Sequence, residues 1–84
     1  MESIRVFLRT PLFTVRGEAH LPPGTFVVEG RLREMVSGGM ILDVETWMNE
    51  EGLALAGEPR ALFLPVTKID HVLLLEKAGP EAER

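Results

Sequence analysis

The sequence predicts a mainly β protein, a small rolled antiparallel sheet or barrel of about five strands with one short helix between the second and third. Three observations carry this expectation. Apolar and polar residues alternate in several short runs, the period of a half-buried strand. Glycine and proline punctuate those runs. The chain has only 84 residues, room for one small domain, and closing a small sheet on itself removes exposed edges.

The first run, Ile4-Arg5-Val6-Phe7-Leu8-Arg9, places Ile4, Val6 and Leu8 on one face. Thr10-Pro11 interrupts it, because proline lacks an amide hydrogen and fixes φ. The second run sets Phe13, Val15, Gly17, Ala19 and Leu21 against Thr14, Arg16, Glu18 and His20. A hairpin joining these runs would bring Val6 to Val15 and Leu8 to Phe13, with Arg5 opposite Arg16. Leu21-Pro22-Pro23-Gly24 ends it. Val28, Leu32, Met35 and Val36 then recur at helical spacing, with Glu29 and Arg33 four apart and Ser37-Gly38-Gly39 as a stop. Gly30 weakens a helix by about 1 kcal/mol relative to alanine, and a strand over residues 25–32 is the competing reading.

Met40 to Trp47 is a third strand, with Met40, Leu42 and Val44 inward. Asn49-Glu50-Glu51-Gly52 and Gly57-Glu58-Pro59-Arg60 have turn chemistry. Leu53-Ala54-Leu55 between them is either a short strand extension or a loop wall. Ala61 to Val66 is apolar on both faces, and Pro65 places it at an edge or a strand end. Thr67 to Asp70 reads as one tight turn, and His71 to Leu75 as the closing strand. Residues 1–76 form the single β-rich domain, and the polar segment 77–84 is expected to be a mobile tail.

Composition narrows the chemistry. With no cysteine there is no disulfide framework and no thiolate metal site. No apolar run reaches the ~18–20 residues of a membrane helix, and the opening lacks a signal peptide's layout, so a cytoplasmic protein without a membrane partner is expected. The net charge of −4 disfavours general phosphate-backbone binding. That average hides a split: residues 1–33 carry five arginines against three glutamates, whereas residues 34–84 carry four bases against ten acids. Seven arginines against two lysines, one asparagine and no glutamine fit a thermophile or a GC-rich genome.

Two resemblances attach to these residues. Phe13-Thr14-Val15-Arg16-Gly17, Leu21-Pro22, Arg31 to Val36, Met40 to Val44 and the span from Val66 to Val72 are together similar to an uncharacterised family of short bacterial β-rich domains. That likeness implies no activity and no catalytic residue. Val28-Glu29-Gly30-Arg31-Leu32 resembles the first motif of Sm-like RNA-binding rings, and Phe63 to Val72 their closing strand pair. This second likeness implies an SH3-like or Sm-like barrel that binds RNA or a nucleotide. The chain departs from it after Leu32, where the Asp and Asn expected around the nucleotide-facing loop are not found, and at Pro65-Val66-Thr67, where an Arg-Gly or Lys-Gly pair would stand.

Little in the sequence suggests catalysis. His20 and His71 each lack a second histidine or carboxylate at i+2 or i+4, and neighbouring Asp70 and His71 would point to opposite faces of a strand. Ser37 on its glycine turn has no G-x-S-x-G context, and no phosphate-binding glycine motif occurs. No catalytic, metal or cofactor residue is therefore expected, and the chain is read as non-enzymatic. Asp43 and Glu45 share a strand face and read as counter-charges for Arg5, Arg9 or Arg16. An apolar surplus is left on the polar side: Phe7, Ile41 and Trp47, with Phe63 on a strand apolar on both faces. These four are the expected interface of a homo-oligomer, a dimer or small ring, unless the helix and the 48–60 loop cover them. Another protein partner is compatible with the same surface. The alternative is an Sm-like barrel binding RNA or a nucleotide through Arg5, Arg16, Arg31 and Arg33.

Overall fold

The computed structural model describes residues 3–13 and 21–75. The sheet is built from β1 (Ser3–Leu8), β2 (Val27–Val36), β3 (Gly39–Met48), β4 (Ala54–Leu55), β5 (Arg60–Pro65) and β6 (Ile69–Leu75), with a 3₁₀ turn over Val66–Lys68. All pairings are antiparallel. β1 lies between β2 and β6, and β2 between β1 and β3. The far side of β3 is shared by β5, against Gly39 to Val44, and by the two residues of β4, against Trp47 and Met48.

β5 and β6 therefore sit at opposite ends of the sheet, yet only three residues join them. The sheet must curl to allow this, and the result is a barrel-like half-cylinder. The 3₁₀ turn clasps both ends. The Val66 amide donates to the Gly38 carbonyl at 2.8 Å, and the Arg9 amide to the Lys68 carbonyl at 2.9 Å. Lys68 Nζ adds bonds to Thr10 Oγ1 at 2.8 Å and to the Pro11 carbonyl at 3.2 Å. The concave side holds the core: Ile4, Val6, Leu8, Val28, Leu42, Val44, Trp47 and Leu64. Period-two alternation placed Ile4, Val6 and Leu8, and Met40, Leu42 and Val44, on that side, and all six are buried.

The short helix expected over residues 28–36 is a strand instead. Val28 and Leu32 do face the core, but in an extended chain that pairs with β1 over Val27 to Arg31 and with β3 along its length. Ser37-Gly38 closes a hairpin, with Gly38 in the left-handed region at φ +83°, so the supposed helix stop is a two-residue strand turn between Val36 and Gly39. The expected hairpin of β1 with residues 13–21 does not form in that register, because both edges of β1 are occupied. Val6 pairs with Val28 and Val72, and Arg5 with Glu29 and Leu73. The rest of that second run, residues 14–20, lies outside the described residues, as does the expected tail.

Two further local expectations hold, and the tight turn expected over residues 67–70 is shifted to Val66–Lys68, with Ile69 and Asp70 in β6. Leu53-Ala54-Leu55 contributes a short strand, and Asn49 Oδ1 accepts from the amides of Glu51 and Leu53 at 2.8 and 2.9 Å, an Asx-type turn. Pro65 ends an edge strand, which is where a missing amide hydrogen is tolerated.

Candidate interaction surface

Three β-bulges decide where the surface residues point. In the β2–β3 pairing Glu29 faces Thr46 while Gly30 faces Val44, so Glu45 is an extra residue on β3. One extra residue reverses the alternation beyond it. Trp47 is thereby turned to the same side as Val44 and is only 1% exposed. Its indole Nε1 donates to the Glu58 carbonyl at 3.1 Å. A Cβ added at Gly57 would lie 2.8 Å from Trp47 Cδ1, which shows how closely the 48–60 loop is laid over the ring. Trp47 is thus a core residue shielded by the chain's own loop. The expectation that it centres an outer interface is corrected.

The other three expected residues do lie on the outer side. Phe7 is half-buried and stacks on His71, with ring centroids 4.2 Å apart and planes 9° from parallel. It pairs with Val27, which pairs in turn with Met48. Both are buried, so this stretch of the outer face is largely covered. Ile41 and Phe63 face each other across β3 and β5. Ile41 is half-buried and Phe63 is 50% exposed. The Phe63 ring sits over Gly39, where a Cβ would come within 2.9 Å of two ring carbons. A shallow apolar depression is lined by Met35, Val36, Gly38, Gly39, Met40, Val66 and Ile69.

Met35, Val66, Leu73 and Leu74 are also exposed, Leu73 on the outer side with Arg5, and Met35 and Leu74 on the core side with Met40 and Ile4. Leu73 belongs to the closing strand expected from His71 to Leu75. Met35 does share the core side with its pair partner Met40, as a core-facing reading would have it, but it is 63% exposed there. Nothing local in the sequence marks Val66 as exposed, since its position follows from the 3₁₀ turn.

The arginines find carboxylates, but not the expected ones. Arg5 reaches Glu29, its cross-strand neighbour, at 3.3 Å. Arg33 reaches Asp43 with two bonds of 2.7 and 3.2 Å, and Arg31 stands 3.9 Å from Glu45. Asp43 and Glu45 are thus met by arginines of β2, the strand beside them, rather than by Arg5, Arg9 or Arg16. Arg33 is the extra residue of the second bulge, between the pairs Leu32–Leu42 and Glu34–Ile41. Arg9 has no ion pair among the described residues, and Arg16 lies outside them, as does His20.

The third bulge, between the pairs Phe7–His71 and Leu8–Ile69, makes Asp70 the extra residue on β6. It cancels the opposite-face expectation, and His71 Nδ1 lies 2.7 Å from Asp70 Oδ2. Both side chains are more than half exposed. Among the described residues no group of three metal-ligating side chains occurs.

No protein-family model, curated protein or solved structure matches the chain.

Proposed function

We propose that this chain is a non-catalytic interaction module that associates with copies of itself. One observation carries the reading: large apolar side chains stand exposed on β5 and β6, each of which has a single neighbour among the described residues, and on the turn between them. These are Phe63 on β5, Val66 on the turn, and Leu73 and Leu74 on β6. A chain this small buries only roughly 60% of its unfolded surface, so large apolar side chains left in water are area that a partner can cover. The covered tryptophan moves the centre of this reading from the outer face of β3 to the two ends of the sheet.

The RNA or nucleotide alternative is weakened by the ion pairs. Three of its four arginines, Arg5, Arg31 and Arg33, each stand beside a carboxylate. Counterion release requires cations left free for phosphate. Salt-sensitive binding of single-stranded RNA at about 50 mM salt would revive this alternative.

Sedimentation velocity over a dilution series tests the proposal. The expected result is a sedimentation coefficient that rises with concentration toward that of a dimer or small ring. A monomer up to about 100 µM, where a contact contributes less than roughly 5.5 kcal/mol, overturns it.

A further inference from the structure

We infer that β6 is the strand through which two copies join, edge to edge and antiparallel, about a two-fold axis at Leu73. This deepens the self-association reading and rests on it. Apart from the two-residue β4, two strands end the sheet among the described residues, and they are not equivalent. β5 begins at Arg60 and finishes at Pro65, and charge and proline are devices that discourage edge pairing. β6 has seven residues, Ile69-Asp70-His71-Val72-Leu73-Leu74-Leu75, with no proline, lysine or arginine. Among the described residues it pairs only with β1. Its bulge at Asp70 ends the irregular part, leaving His71 to Leu75 in unbroken register with β1. Such a strand offers a row of backbone donors and acceptors that only another extended chain can match in sequence.

The side chains say which chain fits. Leu73 is 46% exposed and Leu74 is 61% exposed, and as neighbours in a strand they point to opposite faces. Leu74 is open although its partner Ile4 on β1 is only 2% exposed. An added strand must therefore be apolar on both faces in the same stretch, and β6 itself has that pattern. A register centred on Leu73 sets Leu73 against Leu73, Val72 against Leu74 and His71 against Leu75, covering the leucines on both faces at once. A register centred on Val72 sets Leu74 against Asp70 and would desolvate a carboxylate, which is costly without a compensating partner. The two-fold relation makes the surface self-complementary, as a closed dimer requires.

The natural absence of cysteine makes a direct test possible on the full chain. Directly opposed residues of antiparallel strands have Cβ atoms about 4.5–5.5 Å apart, close to disulfide reach of ~3.5–4.5 Å. Mild oxidation of Leu73→Cys is expected to yield a covalent dimer at concentrations where the parent chain sediments as a dimer. Phe63→Cys, treated alike, is expected to stay uncrosslinked. Hydrogen exchange on the parent chain gives a second readout, with β6 amides slowing as concentration rises into the dimer range. Dimers that form without crosslinking at position 73, or that crosslink through position 63 instead, overturn the β6 pairing and leave self-association standing. So do dimers whose β6 amides exchange at the monomer rate, a result that decides the matter even where the cysteine variant folds poorly. A parent chain that is monomeric throughout removes both readings together.

Discussion

Trp47 and Gly30 show how one residue's environment is set from across the sheet. A Cβ at Gly30 would fall on the backbone carbonyl of Asp43, so β2 and β3 can come together at the first bulge only because that side chain is absent. The bulge in turn swings Trp47 into the core, where its ring fills space and its one polar atom is bonded to the Glu58 carbonyl. Trp47→Ala is expected to destabilise the fold by about 3–5 kcal/mol, the range for truncating a buried aromatic residue, as measured by urea denaturation. That is a large fraction of the roughly 5–15 kcal/mol typical of a whole domain. A loss under about 1 kcal/mol would place the indole at the surface and return it to the list of interface candidates. In the sequence, Trp47 is indistinguishable from an outward residue, because alternation counted from Met40 assigns it to the polar side.

At the level of elements, the misread helix has a physical explanation. In β2 the inward positions are Val28, Gly30 and Leu32, and the extra residue Arg33 then moves the next inward position to Met35. Glycine adds no apolar signal, so the hydrophobic residues seen are 28, 32 and 35, spaced four and three apart. A bulged strand has thus imitated the periodicity of a helix. The same bulge gives Arg33 its reach to Asp43. Both side chains of that pair are substantially exposed, and exposed pairs contribute only about 0.2–1 kcal/mol. A double-mutant cycle on Arg33 and Asp43 is expected to return a coupling in that range that shrinks with added salt. A coupling well above it would mean that the pair is buried in solution, and hence covered by another molecule.

For the molecule as a whole, the question is how a thin sheet with two open ends stays folded. The 3₁₀ turn ties those ends together from inside, through Gly38 and Arg9, and the proposed pairing would complete the structure from outside. A partner that binds only the folded state raises stability by mass action. The midpoint of thermal unfolding is therefore expected to rise with protein concentration. Leu73→Lys is expected to abolish that dependence while leaving the far-ultraviolet circular dichroism spectrum unchanged, since Leu73 is not a core residue. A midpoint independent of concentration in the parent chain would argue for a self-sufficient monomer.

By itself the sequence determined the mainly β class, the strands at both ends of the chain, the turn at Asn49, the edge position of the strand ending at Pro65, and the six alternating core residues of β1 and β3. These follow from local chemistry: side-chain period, proline's missing donor, and the hydrogen bonds of a turn asparagine. Only the tertiary structure decided that residues 27–36 are a strand, that Trp47 faces inward, that Asp70 meets His71, and which arginine meets which carboxylate. Each of those depends on an extra residue placed where two strands must stay in register, or on which strands are neighbours. Registry is a property of strand pairs, so neither strand's sequence states it alone.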